Sequence, residues 1–107
     1  MTQDSVRADI LSISNELPCT VTTVAEHGFT THRFVRLTNL NGARNAEPVA
    51  HHGEDQLNNN RYRIVVTGVD TFYLEEPVTF KKVDSSNFTP YIEGGYCLQI
   101  EQDFFYN

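Results

Sequence analysis

Short stretches in which apolar and polar residues alternate recur along most of the chain. A period of two residues places successive side chains on opposite faces of a β-strand, so each stretch predicts one strand. The stretches are residues 11–13, 19–24, 33–37, 62–66, 72–74, 78–80 and 96–100. Turn-forming residues separate them. The pattern therefore predicts an all-β fold, a single small barrel or sandwich of six or seven short antiparallel strands.

The first stretch has a second interpretation. Val6, Ile10 and Ile13 are spaced so that they could share one face of a short helix. The neighbouring serines and β-branched residues favour a strand instead. We therefore expect a strand in which Leu11 and Ile13 point to the same side.

Glycines mark the predicted turns between the strands. Gly28 follows His27 at a break in the pattern, where we expect a positive φ and a hydrogen bond from the His27 ring to the turn backbone. Gly42 completes an Asn-Gly pair, which is a strong turn signal. Gly94 and Gly95 form a third break. All five positions are predicted to have structural roles.

Residues 43–60 form the longest stretch without periodicity, and we expect one long polar loop there. Such a loop either projects to serve a function or is ordered by a neighbouring molecule. Its polar candidates are His51, His52, Glu54 and Asp55. Adjacent histidines on an extended chain point in opposite directions, which disfavours a shared metal ion. We expect a solvated loop whose polar residues contact a partner.

The length of 107 residues predicts one domain, with a short arm over 1–9, the β-domain over 10–102 and an aromatic tail over 103–107. The net charge of −6 disfavours a dedicated nucleic-acid partner, which would need a basic stripe. No apolar run approaches the ~20 residues of a membrane helix, so no membrane partner is expected. The first residues do not resemble a secretory signal, and we expect folding in a cytoplasm.

The two cysteines, Cys19 and Cys97, are expected to be free, buried thiols in a reducing compartment. If the first and last strands are neighbours, the two sulfurs could meet, and a disulfide would then be feasible after release from the cell.

Candidate catalytic groups are few. Glu75 and Glu76 are adjacent on a predicted strand, so their carboxylates diverge and do not form an acid–base pair. Ser85 and Ser86 lack the flanking glycines of a hydrolase nucleophile, which favours a turn. We predict no enzymatic activity and no cofactor.

Several basic residues could gather on one sheet face beside Tyr62 and Tyr73, as a platform for single-stranded nucleic acid. They are Arg33, Arg36, Arg61, Arg63, Lys81 and Lys82. Arg61 and Arg63 alternate with Tyr62, however, and therefore lie on the opposite side of the strand. Cross-strand pairing with Glu75 or Asp70 is the simpler explanation.

Three aromatic residues, Phe104, Phe105 and Tyr106, lie close together after the last predicted strand. Side chains of this size rarely remain in water. Two interpretations stay open. Either the segment closes onto the protein's own core, or it docks into an adjacent subunit, with the aromatics as anchors.

The order of these features resembles a known family. His27-Gly28-Phe29, Asp70-Thr71-Phe72 and Gly94-Gly95, with the strands between them, resemble a β-module of tail, baseplate and fibre proteins of tailed phages. That module is similar in shape to the small β-barrel domain of ubiquitin-activating enzymes. The resemblance covers residues 10–96, and the insertion at 43–60 departs from it.

The resemblance implies a non-enzymatic structural protein of the virion, in the tail, baseplate, fibre-attachment or head–tail region. It also implies other virion proteins as partners and several copies, or a homo-oligomer, in the assembly. One alternative is a capsid cement or decoration protein, which copy number would distinguish. A second is a cytoplasmic immunity or inhibitor protein that binds a host enzyme through the acidic residues of segment 47–55.

Overall fold

The computed structural model describes residues 7–42, residue 57 and residues 60–100. Within this part the chain forms eight β-strands and no helix, so the predicted all-β class is confirmed. In chain order the strands are β1 (Arg7–Ile13), β2 (Thr20–Thr23), β3 (Phe34–Thr38), β4 (Asn41–Gly42), β5 (Arg61–Gly68), β6 (Thr71–Glu75), β7 (Tyr91–Glu93) and β8 (Tyr96–Ile100).

Six strands close into an antiparallel barrel in the order β1-β2-β6-β5-β3-β8, and β8 pairs back with β1. Each of these strands has a neighbour on both sides, so closure removes exposed strand edges. β8 meets β1 through the pairs Arg7↔Leu98 and Ala8↔Cys97. β4 and β7 form a separate two-stranded sheet.

One side of each barrel strand fills the interior. The alternation predicted for β2, β3, β5 and β6 places apolar side chains inward as expected. The fully buried apolar residues of these strands and of β8 are Val21, Val35, Leu37, Ile64, Phe72, Leu74 and Cys97. Each large apolar side chain buried in this way contributes roughly 1.5–3 kcal/mol to folding. Leu57 is also fully buried, so the stretch 43–60 supplies a core residue that its polar composition concealed.

A β-bulge in β1 changes which residues face the core. The register shifts between Ile10 and Ser12, and the extra residue alters the alternation. Ile10 and Ile13 are buried, whereas Leu11 is 58 % exposed. The prediction that Leu11 and Ile13 share one side was therefore wrong. The bulge also explains the three-residue spacing of Ile10 and Ile13 that resembled one face of a helix.

The barrel begins earlier in the chain than predicted. β1 starts at Arg7, so residues 7–9 belong to the barrel and not to an arm. Residues 1–6 and 101–107, which include the rest of that arm and the aromatic tail, lie outside the described residues.

A turn replaces the strand predicted over residues 78–80. The Phe80 N–H donates to the Glu76 carbonyl at 2.9 Å, and the Glu76 N–H donates to the Lys81 carbonyl at 2.8 Å. Val78 is 83 % exposed, and Phe80 has a φ of 61°. The prediction failed because an alternation of only three residues is too short to distinguish a strand from a turn.

The Asn-Gly pair at 41–42 lies in β4 and does not form the predicted turn. Gly42 does have a positive φ, of 90°, and pairs with Tyr91 where the β4–β7 register shifts. Asn39 also has a positive φ, of 64°, just before β4. The positive φ that favours glycine is therefore present at Gly42, but it belongs to an irregular strand pairing and not to a turn.

The two ends of the barrel are closed differently. β2, β5 and β8 run in the same direction, so they finish at one end, which we call the His27 end. At the other end Ser85 is buried, and its hydroxyl donates to the Ser14 carbonyl at 2.6 Å. The Asn15 side-chain amide donates there to the carbonyls of Ser85 and Phe88. These bonds fix the long connection between β6 and β7 against the β1–β2 turn.

Candidate functional site

The outer side of three neighbouring strands carries a surface that we call the β8–β3–β5 face. Its residues alternate with the core residues of these strands and are half-buried or exposed. They are Phe34, Arg36, Thr38, Arg61, Arg63, Val65, Tyr96, Leu98 and Ile100. None of them is acidic, although the chain as a whole has a net charge of −6. The β8–β3–β5 face thus combines half-buried apolar side chains with three arginines.

Strand register arranges these side chains in two rows across the strands. One row runs from Arg7 on β1 through Leu98 and Arg36 to Arg61. The next row runs through Ile100, Phe34 and Arg63 to Glu75 on β6. Directly paired side chains on one face of a sheet are neighbours, so Leu98 lies between Arg7 and Arg36, and Phe34 lies between Ile100 and Arg63.

Aromatic rings hold several of the arginines in place. The Arg61 guanidinium lies 5.6 Å from the centre of the Phe34 ring, and that of Arg7 lies 4.0 Å from the Tyr96 ring. The Arg7 guanidinium also donates to the Asp9 carboxylate at 3.1 Å. Contacts of this kind stabilise by about 0.5–1 kcal/mol when exposed. They also restrict the orientation of long side chains that would otherwise be mobile.

Arg63 is the most constrained of these arginines. Its guanidinium donates to the Glu75 carboxylate at 2.9 Å, and their side chains are only 20 % and 12 % exposed. The Phe80 ring covers the guanidinium at 4.0 Å. The cross-strand pairing with Glu75 expected from the sequence is thus present, and it anchors the 76–81 turn beside the face.

Only part of the basic set predicted from the sequence shares this surface. Arg36, Arg61 and Arg63 come together on it, whereas the Lys82 ammonium lies 5.9 Å from the Tyr73 ring, beside β6. Tyr62 is buried in the core, and burial raises the pKa of its hydroxyl well above the ordinary value. Its ring therefore cannot stack on an external base.

His27 organises the turn that closes its end of the barrel. Its Nδ1 accepts a hydrogen bond from the Phe29 N–H at 2.9 Å, and its Nε2 lies 3.0 Å from the Gly68 carbonyl oxygen. The ring stacks on Phe29 and meets the edge of Phe72, and it is only 4 % exposed. Gly28 has a φ of 71°, which lets the chain turn back over the ring. His27 therefore has a structural role.

A shallow depression of about 480 Å³ lies beside this turn. It is lined by residues 26–29 and by residues 66–69, which form the end of β5 and the first position after it, and we call it the His27 depression. Val69 lies at its rim and is 66 % exposed. The depression could not be predicted from the sequence, because its two sides are distant along the chain.

The thiols of Cys19 and Cys97 are both free and fully buried. Burial in apolar surroundings raises the pKa of Cys19 to about 11 and that of Cys97 to about 12. The first and last barrel strands are neighbours, as the disulfide hypothesis required, yet Cys19 lies between β1 and β2 and no bond forms. Both residues act as small core side chains.

The remaining candidates lie beyond the described residues. His51, His52, Glu54 and Asp55, and likewise Phe104, Phe105 and Tyr106, are outside that part. Within it, no three His, Cys, Asp or Glu residues gather closely enough to hold a metal ion. Nor does it contain a helix long and apolar enough to cross a membrane.

Gly94 and Gly95, with φ of 79° and 91°, form the connection between β7 and β8.

Sequence reasoning missed the apolar half of the β8–β3–β5 face. Phe34, Leu98 and Ile100 are apolar residues that point outward, and nothing in a two-residue period shows which side is the core. A usable signal was Arg36, because a charged side chain marks the outer side of a strand and Phe34, two residues earlier, shares that side.

Comparison with known proteins found no matching family model and no matching curated protein.

Proposed function

We propose that this chain is a structural protein of a tailed-phage virion, a non-enzymatic assembly module that binds neighbouring subunits through the β8–β3–β5 face. Support comes from the sequence resemblance over residues 10–96 and from a small closed β-barrel, the shape that the resemblance implies. Tail, baseplate, fibre-attachment and head–tail positions all fit this proposal.

The composition of the face carries the proposal. Protein interfaces are enriched in aromatic residues and arginine and are depleted of lysine and carboxylates at their centre. The face combines Phe34, Tyr96, Leu98 and Ile100 with three arginines, and it has no acidic residue. Although the chain has a net negative charge, this face carries arginines and no carboxylate. It therefore fits a neighbouring subunit whose contact surface has carboxylates around an apolar centre.

Rigidity of the face adds to this argument. Its three strands belong to a closed barrel, and Arg61 and Arg63 are held against aromatic rings. A surface already in its binding conformation loses less conformational entropy on association. Such a surface can repeat the same contact in several copies around a symmetry axis.

Incorporation into particles tests the proposal. Leu98→Asp places a carboxylate on this face between Arg7 and Arg36, at a half-buried position, and a thermal melt of the variant checks that the barrel still folds. Leu17→Asp is the matched control, because Leu17 lies in the β1–β2 turn and is well exposed. We expect Leu98→Asp to reduce incorporation into purified virions at least about tenfold, a loss of ~1.4 kcal/mol in association, while Leu17→Asp is incorporated normally.

Quantitative mass spectrometry of purified particles provides this measurement. Absence of the wild-type protein from particles would refute the proposal, as would equal incorporation of both variants. Hundreds of copies per particle would instead identify a capsid decoration protein. A small multiple of three or six copies would support a tail, baseplate or connector position.

A further inference from the structure

Two arginines lie directly opposite each other on the β8–β3–β5 face. Arg36 of β3 is the register partner of Arg61 of β5. Both side chains are exposed on the outer side of the barrel, because the adjacent register partners, Val35 and Tyr62, are buried in the core. The Cβ atoms of directly paired residues lie about 4.5–5.5 Å apart, and like charges in that position destabilise a sheet. The barrel thus holds two like charges together at this point.

Two other arginines near this face have carboxylate partners on the barrel strands. The Arg7 guanidinium donates to the Asp9 carboxylate at 3.1 Å. The Arg63 guanidinium donates to the Glu75 carboxylate at 2.9 Å. Among the residues that the structure describes, no carboxylate lies within salt-bridge distance of Arg61. Cross-strand ion pairing therefore accounts for Arg63, but it leaves the charge of Arg61 beside that of its register partner.

An aromatic ring positions the Arg61 guanidinium beside the strand that carries Arg36. The guanidinium belongs to β5, and it lies 5.6 Å from the centre of the ring of Phe34, which belongs to β3. Phe34 and Arg36 are two residues apart, so their side chains share the outer side of β3. Since neighbouring strands are about 4.8 Å apart, one acceptor group above β3 is within reach of both long arginine side chains.

A carboxylate fits this pair and its surroundings. A guanidinium presents a planar set of donors that matches the two oxygens of a carboxylate, and one carboxylate between two arginines replaces a repulsion with two attractions. Leu98 is the register partner of Arg36 on the other side of β3, and the Phe34 ring contacts Arg61. Arginines beside apolar side chains are typical of protein interfaces, whereas a nucleic-acid backbone requires a longer basic stripe.

We propose that Arg36 and Arg61 together bind one carboxylate of an adjacent subunit. The carboxylate belongs to an Asp or Glu side chain whose apolar neighbours pack on Leu98 and Phe34. An identical face would bring arginines against arginines, so the partner presents a different, acidic surface. The inference rests on the proposed function, and it identifies the point of the β8–β3–β5 face that selects the partner. Binding relieves the repulsion between the two arginines, which favours an acidic partner over a neutral one.

A double-mutant cycle on the isolated full chain tests whether a carboxylate of the same chain already occupies the pair. Urea denaturation compares the wild type with Arg36→Gln, Arg61→Gln and the double variant. It is carried out at an ionic strength of about 0.01 M, where charges interact over roughly 30 Å, and of about 1 M, where that range falls to roughly 3 Å.

At low salt, Arg61 should raise the unfolding equilibrium constant at least about twofold more when residue 36 is Arg than when it is Gln. At high salt this coupling should disappear, because the two charges are screened from each other. A coupling that is absent or stabilising at low salt would overturn the inference. The two charges would then be separated, or already bridged by a carboxylate of the same chain.

Incorporation into purified particles tests whether the pair contacts a partner. Arg33→Gln is the matched control for Arg61→Gln, because Arg33 is exposed just before β3, lies outside the face and loses the same charge. We expect Arg61→Gln to be incorporated at least about fivefold less than the wild type, and Arg33→Gln normally. Arg61→Lys should be intermediate, because it keeps the charge but lacks the planar donors. Equal incorporation of Arg61→Gln and Arg33→Gln would overturn the inference.

A labelled single-stranded oligonucleotide tests phosphate as the ligand instead of carboxylate. Fluorescence anisotropy measures its binding to the wild type and to Arg61→Gln. We expect no binding that depends on Arg61. Binding to the wild type that Arg61→Gln abolishes would overturn the inference in favour of a nucleic-acid partner.

Failure of this inference is distinguishable from failure of the proposed function. If Leu98→Asp is excluded from particles while Arg61→Gln enters normally, the face is an interface, but the arginine pair does not select the partner. If Leu98→Asp and Leu17→Asp enter particles equally, the proposed function is refuted, and the inference is refuted with it.

Discussion

His27 joins the turn over residues 27–29 to the end of β5. Its ring accepts a hydrogen bond from the Phe29 N–H, and its other nitrogen lies within hydrogen-bond distance of the Gly68 carbonyl. The ring also packs against Phe29 and Phe72, which contact each other as well. The sequence predicted that the His27 ring would hydrogen-bond to the backbone of its own turn. The contact with Gly68, 41 residues away, required the folded chain.

We expect His27→Phe to destabilise the protein by roughly 1–3 kcal/mol, because the new ring keeps the packing but leaves the buried Phe29 N–H without an acceptor. His27→Ala should cost more, since it also creates a cavity. Urea denaturation of the three proteins measures both differences. If His27→Phe unfolds within about 0.5 kcal/mol of the wild type, the hydrogen bonds do not hold the turn.

The two buried thiols predict a loss of stability at alkaline pH. The pKa values of Cys19 and Cys97 in the folded protein, about 11 and about 12, exceed the ordinary value of 9.0. Their contribution is complete below pH 9. It declines above that pH, because the unfolded chain releases the thiol protons while the folded chain retains them.

Between pH 9 and pH 10 the free energy of unfolding should therefore fall by roughly 1 kcal/mol per thiol. Tyr62, whose pKa is also raised, adds to the decline only above its ordinary value of 10.0. Denaturation curves at both pH values measure the effect, and a Cys19→Ala/Cys97→Ala variant should be less stable but less sensitive to pH. Equal pH dependence of the two proteins would contradict this account.

Gly42 shows how a strand irregularity depends on one residue. It has a φ of 90°, and a Cβ atom there would collide with the Pro90 carbonyl oxygen and lie 2.7 Å from the Ile92 nitrogen. Gly94 has a similar φ of 79°, but a Cβ atom there would lie 3.6 Å from its nearest neighbour, the Asn39 carbonyl oxygen. The two glycines share the backbone conformation and differ in the space around it.

We expect Gly94→Ala to cost about 1 kcal/mol from the positive φ alone, and Gly42→Ala to cost clearly more, because the β4 and β7 backbones must separate. Thermal melts of both variants measure the difference. The collision argument fails if the two substitutions lower the melting temperature equally.

Alternation predicted the longer strands well and the short ones poorly. β2, β3, β5 and β6 have their expected buried sides, because each combines β-branched or aromatic residues with a sustained period. The bulge in β1 and the 76–81 turn were not predictable, since a single extra residue or a three-residue pattern leaves no distinct signal. β4 and β7, each at most three residues long, depend on each other and not on local propensity.

The order of strands around the barrel could not be derived from the sequence. β2 pairs with β6 and β3 pairs with β8, so most neighbours are distant along the chain. The alternation fixes which residues share a side of one strand, but only the strand order brings Arg36, Leu98 and Arg61 into one row. The candidate site is therefore a property of the topology, and its residues were predicted only in part.

Solvent footprinting of the protein, free in solution and within purified particles, tests the central claim most directly. Hydroxyl-radical labelling reports the exposure of individual side chains. We predict that Phe34, Tyr96 and Leu98 on the β8–β3–β5 face become protected in particles, whereas Leu17, in the turn at the opposite end from the His27 depression, reacts equally in both states. Unchanged labelling of Phe34, Tyr96 and Leu98 in particles that contain the protein would contradict the account.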